Sequence, residues 1–345
     1  MLGGTRLWEV HLGATFSVGS YLRPNFDRDK SVTRVLLMGQ IAARYAYLRI
    51  SRAQPPDSRS SLVLSRPAGH VVEHHVSRLK LGQRTEAEDV LAAEEPLEVR
   101  LLWQEDGESV KRNIAVTMRT PGDDFELAAG FLHGEGIVRG REDIVDVAYC
   151  VDEDEDQAFN IVNVTLRPGL VFDPARLERN FYTTSSCGVC GKAALDALEV
   201  QGCEVLPSGF TVASEVVCHL PETLRAAQAV FERTGGLHAA GLFDREGALI
   251  SLREDVGRHN ALDKLIGQQL MRGKTPLSDR VLMLSGRASF ELLQKALVAR
   301  LPVVAAVGAP SSLAVQLAES FNVTLLGFVR ADGFNIYSGA ERVLS

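Results

Sequence analysis

The sequence predicts an α/β fold: a mixed or parallel sheet covered by helices, with a smaller α+β part on its amino-terminal side. Three observations predict it. Beyond residue 236, short apolar runs alternate with amphipathic stretches of helical period, which sets strands side by side with helices over them. The later runs end in Gly/Ser-bearing junctions, as strands do where they pass into helices in such sheets. Between residues 97 and 118, two alternating segments flank an Asp-Gly turn, the pattern of an antiparallel hairpin.

Taken in order, residues 1–80 show no strand–helix alternation and include the linker-like stretch Gln54-Pro55-Pro56-Asp57-Ser58, so a poorly ordered basic extension is expected there. Residues 81–180 form the α+β part. Leu97–Trp103 and Asn113–Met118 make the hairpin, and Pro121-Gly122-Asp123-Asp124 caps a helix over Phe125–Leu132 with Phe125, Ala128, Ala129 and Leu132 on one face. Ile144–Cys150 and Phe159–Leu166 read as strands, and the acidic run 152–156 between them as a solvated loop. Residues 181–345 form the α/β part. A helix follows Cys190, a second runs from Pro221 to Arg233, and a hairpin joins Leu237–Phe243 to Ala248–Leu252. Helices at 260–270, 290–299 and 312–320 then alternate with strands at 281–284, 303–307 and 323–329.

Composition narrows the function. The 345 residues carry a net charge of -7, so no general basic field recruits nucleic acid or an anionic membrane. The charge is uneven: 12 Lys/Arg stand against 5 Asp/Glu in residues 1–80, and 25 against 39 in the rest. No apolar run reaches the length of a membrane span. Five cysteines, an odd number without disulfide-scaffold density, fit a reducing cytoplasm. A symmetric homodimer is the default expectation for assembly.

The most informative residues are Cys187-Gly188-Val189-Cys190, preceded by Thr183-Thr184-Ser185-Ser186 and followed by Lys192 and the apolar face of a helix. Two thiols in a first helical turn meet unpaired N–H groups and the positive end of the helix dipole, which favour thiolate over thiol. Such settings lower a cysteine pKa from ~8.5 to roughly 3.5–7.5. Four chemistries use this spacing. A structural zinc site needs two further ligands, and Cys150, Cys203, Cys218 and His219 show no paired spacing. A catalytic zinc would take His133 with Cys187 and Cys190, and Glu135 would shuttle protons as in the deaminases, but Ser186 stands where that signature has proline. Thioredoxin-like exchange and sulfur carriage use the same spacing, and carriage needs a site for the acceptor as well.

The junctions supply one. Ser285-Gly286-Arg287-Ala288-Ser289, Gly308-Ala309-Pro310-Ser311-Ser312 and Arg330-Ala331-Asp332-Gly333 follow three successive strands. Small residues let backbone N–H groups approach an anion, Ser311 and Ser312 add hydroxyls, and Arg287 and Arg330 offer guanidinium forks for phosphate. A fourth loop, Arg253 to Asn260, precedes its helix in the same manner.

On these residues the chain resembles a known family. Gly130-Phe131-Leu132 with Glu135-Gly136-Ile137, Ser185 to Gly191, Thr234 to Ala240, Glu254 to Lys264, Ser285-Gly286-Arg287, Gly308 to Ser312 and Phe334-Asn335-Ile336-Tyr337 are similar to the FdhD family, the formate dehydrogenase accessory sulfurtransferases. The likeness runs from about residue 82 to the end and leaves out the first eighty residues. It implies a cytidine-deaminase-like α/β fold without deaminase activity. It also implies a sulfur carrier between a cysteine desulfurase and the molybdenum cofactor, in its bis(molybdopterin guanine dinucleotide) form, before that cofactor enters formate dehydrogenase. By position, Cys187 would bear the persulfide with Cys190 as its companion, and no permanently bound metal is implied. Phe328-Val329-Arg330-Ala331-Asp332-Gly333 falls on the family's cofactor-binding stretch. His238 and His259 are candidate proton donors, and each could equally orient a loop.

Overall fold

Two sheets on opposite sides of a helix pair organise residues 69–105, 107–150, 159–172 and 203–345, the residues described by the computed structural model. Cys187, Cys190, the helix after them, the acidic run 152–156 and the basic extension up to residue 68 lie outside the described residues.

The described chain opens with an antiparallel ribbon, β1 (Val71–Lys80) and β2 (Gln83–Ala92), paired from Val71↔Ala92 to Lys80↔Gln83. Strand β1 therefore occupies a stretch whose sequence predicts no regular element. Its cross-strand contacts are polar, His75 to Glu88 at 2.7 Å and Ser77 Oγ to Glu86 at 2.6 Å. Both strands are largely exposed, so no apolar alternation marks them.

The expected hairpin follows as β3 (Glu95–Glu105) and β4 (Glu108–Arg119), joined by β5 (Ile144–Tyr149) and β6 (Ile161–Leu166) into a mixed sheet of order β4-β3-β6-β5. Leu97, Val99, Leu101 and Trp103 alternate inward and are buried. They meet Leu127, Ala128, Ala129 and Leu132 of helix α1 (Asp124–Gly134). The cap of α1 differs from expectation. Asp123 sits in the left-handed region without a side-chain cap bond, and arginines engage both acids. Arg119 holds Asp124 at 2.9 and 3.1 Å, and Arg253 approaches Asp123 at 3.4 Å.

The larger sheet has the order β13-β12-β11-β10-β8-β9. Strands β8 (His238–Phe243) and β9 (Leu249–Asp255) form the expected hairpin. Strands β10 (Val281–Leu284), β11 (Val303–Ala306) and β12 (Thr324–Arg330) are mutually parallel, and β8 is antiparallel to β10. Leu282, Leu284, Val304, Ala306 and Leu325 face α4 (Arg258–Met271), α5 (Phe290–Val298) and α6 (Ser312–Ser320). Val281, Met283, Val303, Ala305 and Leu326 face the opposite side, toward α2 (Ser214–Ala227). This alternation, with helices over both faces, is the α/β arrangement that the sequence predicts.

Two elements correct the sequence reading. Pro221 does not open a helix but lies inside α2, and the segment ends as a separate helix, α3 (Ala229–Thr234). Val217, Leu220 and Leu224 form one buried face on both sides of the proline, so packing against the sheet carries the helix through a residue that weakens it. The third junction opens no helix either. Ala331-Asp332 is a tight turn into an antiparallel strand, β13 (Gly333–Ser338), with Arg330 opposite Gly333. The short strand β7 (Val212–Ala213) pairs with β14 (Val343–Leu344).

Candidate functional site

The carboxyl ends of β10, β11 and β12 lie at one edge of the six-stranded sheet, and the three predicted loops meet there. The parallel ladder continues past the strands: Val307 N donates to Leu284 O at 3.0 Å, Gly308 N to Gly286 O at 2.9 Å and Ser311 N to Ala288 O at 3.0 Å. The loops after β10 and β11 thus run as one strip. Gly308 is required for this approach, since a Cβ there would stand 2.9–3.0 Å from Arg287. The third loop is tied on by Phe328 N to Gly308 O at 3.2 Å and by Arg330 Nη1 to Val307 O at 2.8 Å.

Within this strip the expected site residues differ in what they offer. Arg287 and Ser312 are exposed, as are Arg330, Ala331 and Asp332 in the hairpin turn. Ser311 is the N-cap of α6, its Oγ accepting from Ala314 N at 3.3 Å, so its hydroxyl has a structural task. Val329 is fully buried in the core under α2, so only its backbone faces this edge. Phe328 is 45% exposed and has a φ of 54°, a left-handed conformation that costs a non-glycine residue about 1–2 kcal/mol. It lies where the β12–β13 register slips between Gly327 and Arg330. Strain of this kind is concentrated at ligand-clamping positions.

Beside the strip is a cavity of about 520 Å³, walled by Leu224, Arg225 and Phe231 from α2 and α3, by Gly235 and Gly236, and by His238, Ser285 and Val307 from the sheet. Its size suits a mononucleotide-sized group. The wall from α3 is held in place by Glu254 on β9, whose carboxylate accepts from Val230 N at 3.1 Å and Phe231 N at 2.8 Å.

The fourth junction, after β9, reaches the same edge, because β8 and β9 pair with His238 opposite Asp255. It brings Arg258 and His259 there. His259 Nε2 lies 3.4 Å from Ser289 Oγ and 3.8 Å from Glu291. Burial and the neighbouring Arg258 charge lower its pKa to about 4, and the same two causes lower that of His238. Both imidazoles are neutral at physiological pH. Each then offers one N–H donor and one acceptor.

Of the residues of the zinc alternative, His133 and Glu135 are described, and both lie at the end of α1. His133, near the end of α1, is 5% exposed, with Nδ1 3.1 Å from Val138 O. Burial lowers its pKa, and the nearby Lys295 charge acts in the same direction. Glu135 is the C-cap of the same helix. Among the described residues, no three His, Cys, Asp or Glu side chains are placed to hold a metal ion. Cys150 is buried beside Arg100, and burial pushes the Cys203 thiol up in pKa, away from thiolate character. Nor is any helix among the described residues long and apolar enough to cross a membrane.

Comparison with known proteins matches residues 92–344 to the model of the FdhD/NarQ family. A protein named sulfur carrier protein FdhD from Streptomyces avermitilis is 50% identical over 280 residues, covering 80% of this chain and 96% of that protein. One of the same name from Mycobacterium tuberculosis is 49% identical over 283 residues, covering 80% and 99%. Among solved structures, a formate dehydrogenase accessory protein from Desulfotalea psychrophila superposes with a TM-score of 0.60 at 22% identity, over 79% of this chain and 99% of its own. That likeness extends the fold assignment to nearly the whole of the solved chain.

Proposed function

This chain belongs to the FdhD/NarQ family, and from that premise we propose that it is a cytoplasmic sulfur carrier, a sulfurtransferase serving formate dehydrogenase. Cys187 takes sulfur from a cysteine desulfurase and passes it to the molybdenum cofactor, bis(molybdopterin guanine dinucleotide), before the cofactor is inserted. On this reading the six-stranded layer is a cytidine-deaminase-like core adapted to hold the cofactor as substrate.

The first step is thiol exchange. The Cys187 thiolate attacks the terminal sulfur of the desulfurase persulfide, the S–S bond there breaks, and the desulfurase cysteine leaves as thiolate. Cys187 now carries Cys-S-S⁻. In the second step the Cys190 thiolate attacks Cys187 Sγ, and a Cys187–Cys190 disulfide forms as the terminal sulfur leaves as sulfide toward molybdenum. A cellular dithiol then reduces the disulfide and restores both thiols. The acceptor docks at the strip, where Arg287, Arg330, Ser312 and the backbone of residues 328–333 face its phosphates.

The observation that carries this reading is the convergence of three loops, two with exposed arginines, beside a nucleotide-sized cavity in a chain that also holds a C-x-x-C pair. Intact mass after incubation with a cysteine desulfurase and cysteine tests it. A thiol-reducible gain of one sulfur atom, mapped to the Cys187 peptide and abolished in Cys187→Ala, is expected. An equal gain in Cys187→Ala refutes the assignment.

A further inference from the structure

The segment Arg253 to Lys264 is rich in charged side chains, and nearly all of them have structural partners. Arg253 pairs with Glu126 on α1 at 2.5 and 2.9 Å. Glu254 holds the amino end of α3. Asp255 accepts from Thr120 N at 3.1 Å, Gly257 N at 2.8 Å and Asn260 Nδ2 at 3.0 Å, and pairs with Lys264 at 2.7 Å. Asn260 also donates to Met118 O at 2.7 Å, and Lys264 to Thr120 O at 2.8 Å. Asp263 meets Lys295 at 2.8 and 3.0 Å.

Arg258 is the exception. Among the described residues it has no hydrogen bond or ion pair, and its Nε is buried with no partner. A buried N–H of a guanidinium left unsatisfied is expensive, and native structures rarely keep one without a ligand or a task. The surroundings indicate the ligand. Arg258 is the first residue of α4, whose N-cap, Gly257, supplies no side-chain cap. His238 and His259 lie close enough to feel its charge. His259 faces Ser289, and Gly286 leaves room for the His238 ring, since a Cβ there would stand 3.3 Å from Nδ1. His238 in turn lines the cavity. A guanidinium fork, two neutral imidazoles and a serine hydroxyl make a donor set suited to a phosphate group.

We propose that Arg258, flanked by His238 and His259 at the amino end of α4, grips the diphosphate of the nucleotide-bearing ligand that docks at this edge. The assignment rests on the docking of such a ligand here and deepens that reading by adding a fourth loop to the three already described. Arg258 is a binding residue for the acceptor, distinct from Arg287 and Arg330, which stand exposed on the neighbouring loops.

Calorimetric titration of the full-length protein with inorganic pyrophosphate tests it. Pyrophosphate binding needs no sulfur donor, so its outcome stands apart from whether Cys187 takes up sulfur. Wild-type protein is expected to bind, with Arg258→Gln weaker by roughly 10- to 100-fold, the value of one or two charge-assisted hydrogen bonds. Arg258→Lys keeps the charge but loses the fork. It also serves if the glutamine variant does not fold, and a several-fold loss is expected. Unchanged affinity in either variant, or no binding by the wild type, overturns the proposal. So does unchanged affinity in Arg258→Gln accompanied by a shifted pH profile of Cys187 alkylation, which would assign the guanidinium to the thiolate instead.

Discussion

Lys264 reaches Asp255 at 2.7 Å with at most 1% of either side chain exposed, and the carboxylate's other partners come from Thr120, Gly257 and Asn260. This cluster clamps the β4–α1 corner onto the start of α4. Removing the cation leaves a buried, uncompensated charge, which costs about 3–5 kcal/mol. Lys264→Met should lose about that much in urea-unfolding free energy. A loss below 1 kcal/mol would show that the pair does not hold the corner. His259 gives a pH dependence. Its folded pKa of about 4 lies below the ordinary histidine value of 6.5, so between these values the unfolded chain binds the proton and the folded chain does not. Stability is therefore lost as pH falls from about 6.5 toward 4. His259→Gln should flatten that fall in the denaturation midpoint without abolishing it, because His238 and His133 are shifted in the same direction. An unchanged slope would mean that the ring is not desolvated.

Helices α1 and α4 cross through two glycines. A Cβ on Gly130 would stand 1.9 Å from Asp263 O, and one on Gly267 1.8 Å from Glu126 O, so backbone lies on backbone at the crossing. Gly130→Ala should cost at least the 1–3 kcal/mol typical of overpacking, read as a fall in melting temperature. Gly209→Ala is the control, since nothing lies within 4 Å of a Cβ there, and equal melting of the two variants would refute the close crossing. The elements that the sequence predicted best carry an unbroken apolar signal: α6, with one buried face, runs from Ser312 to Ser320 as read, and β10, buried on both faces, from Val281 to Leu284. Those it missed lack that signal. The β1–β2 ribbon buries little of either face, and α2 keeps its apolar face through Pro221 only because the sheet packs against it. In β13 the exposed Asn335 and Ile336 leave no alternation of apolar and polar residues to distinguish a strand from a loop.

Across the whole molecule, the parallel strands bring loops from positions 285, 308 and 330 to one edge, which the strand–junction order in the sequence foretold. The contribution of Arg258 was not legible in the same way. Its loop resembles the others in composition, but only the three-dimensional pairing shows that its acidic neighbours are all engaged and Arg258 is not. Val329 was indistinguishable from its neighbours in sequence, yet its side chain belongs to the core. Sulfur carriage as proposed requires that sulfur held at Cys187 reach a cofactor bound at this edge. The most direct measurement loads the protein with radiolabelled sulfur through a cysteine desulfurase, removes the donor, adds bis(molybdopterin guanine dinucleotide) cofactor, and follows the label. It should leave wild-type protein and appear on the cofactor, with none transferred by Cys187→Ala. Label that stays on wild-type protein while the cofactor is bound, or transfer that survives loss of Cys187, would rule out sulfur carriage by this thiol.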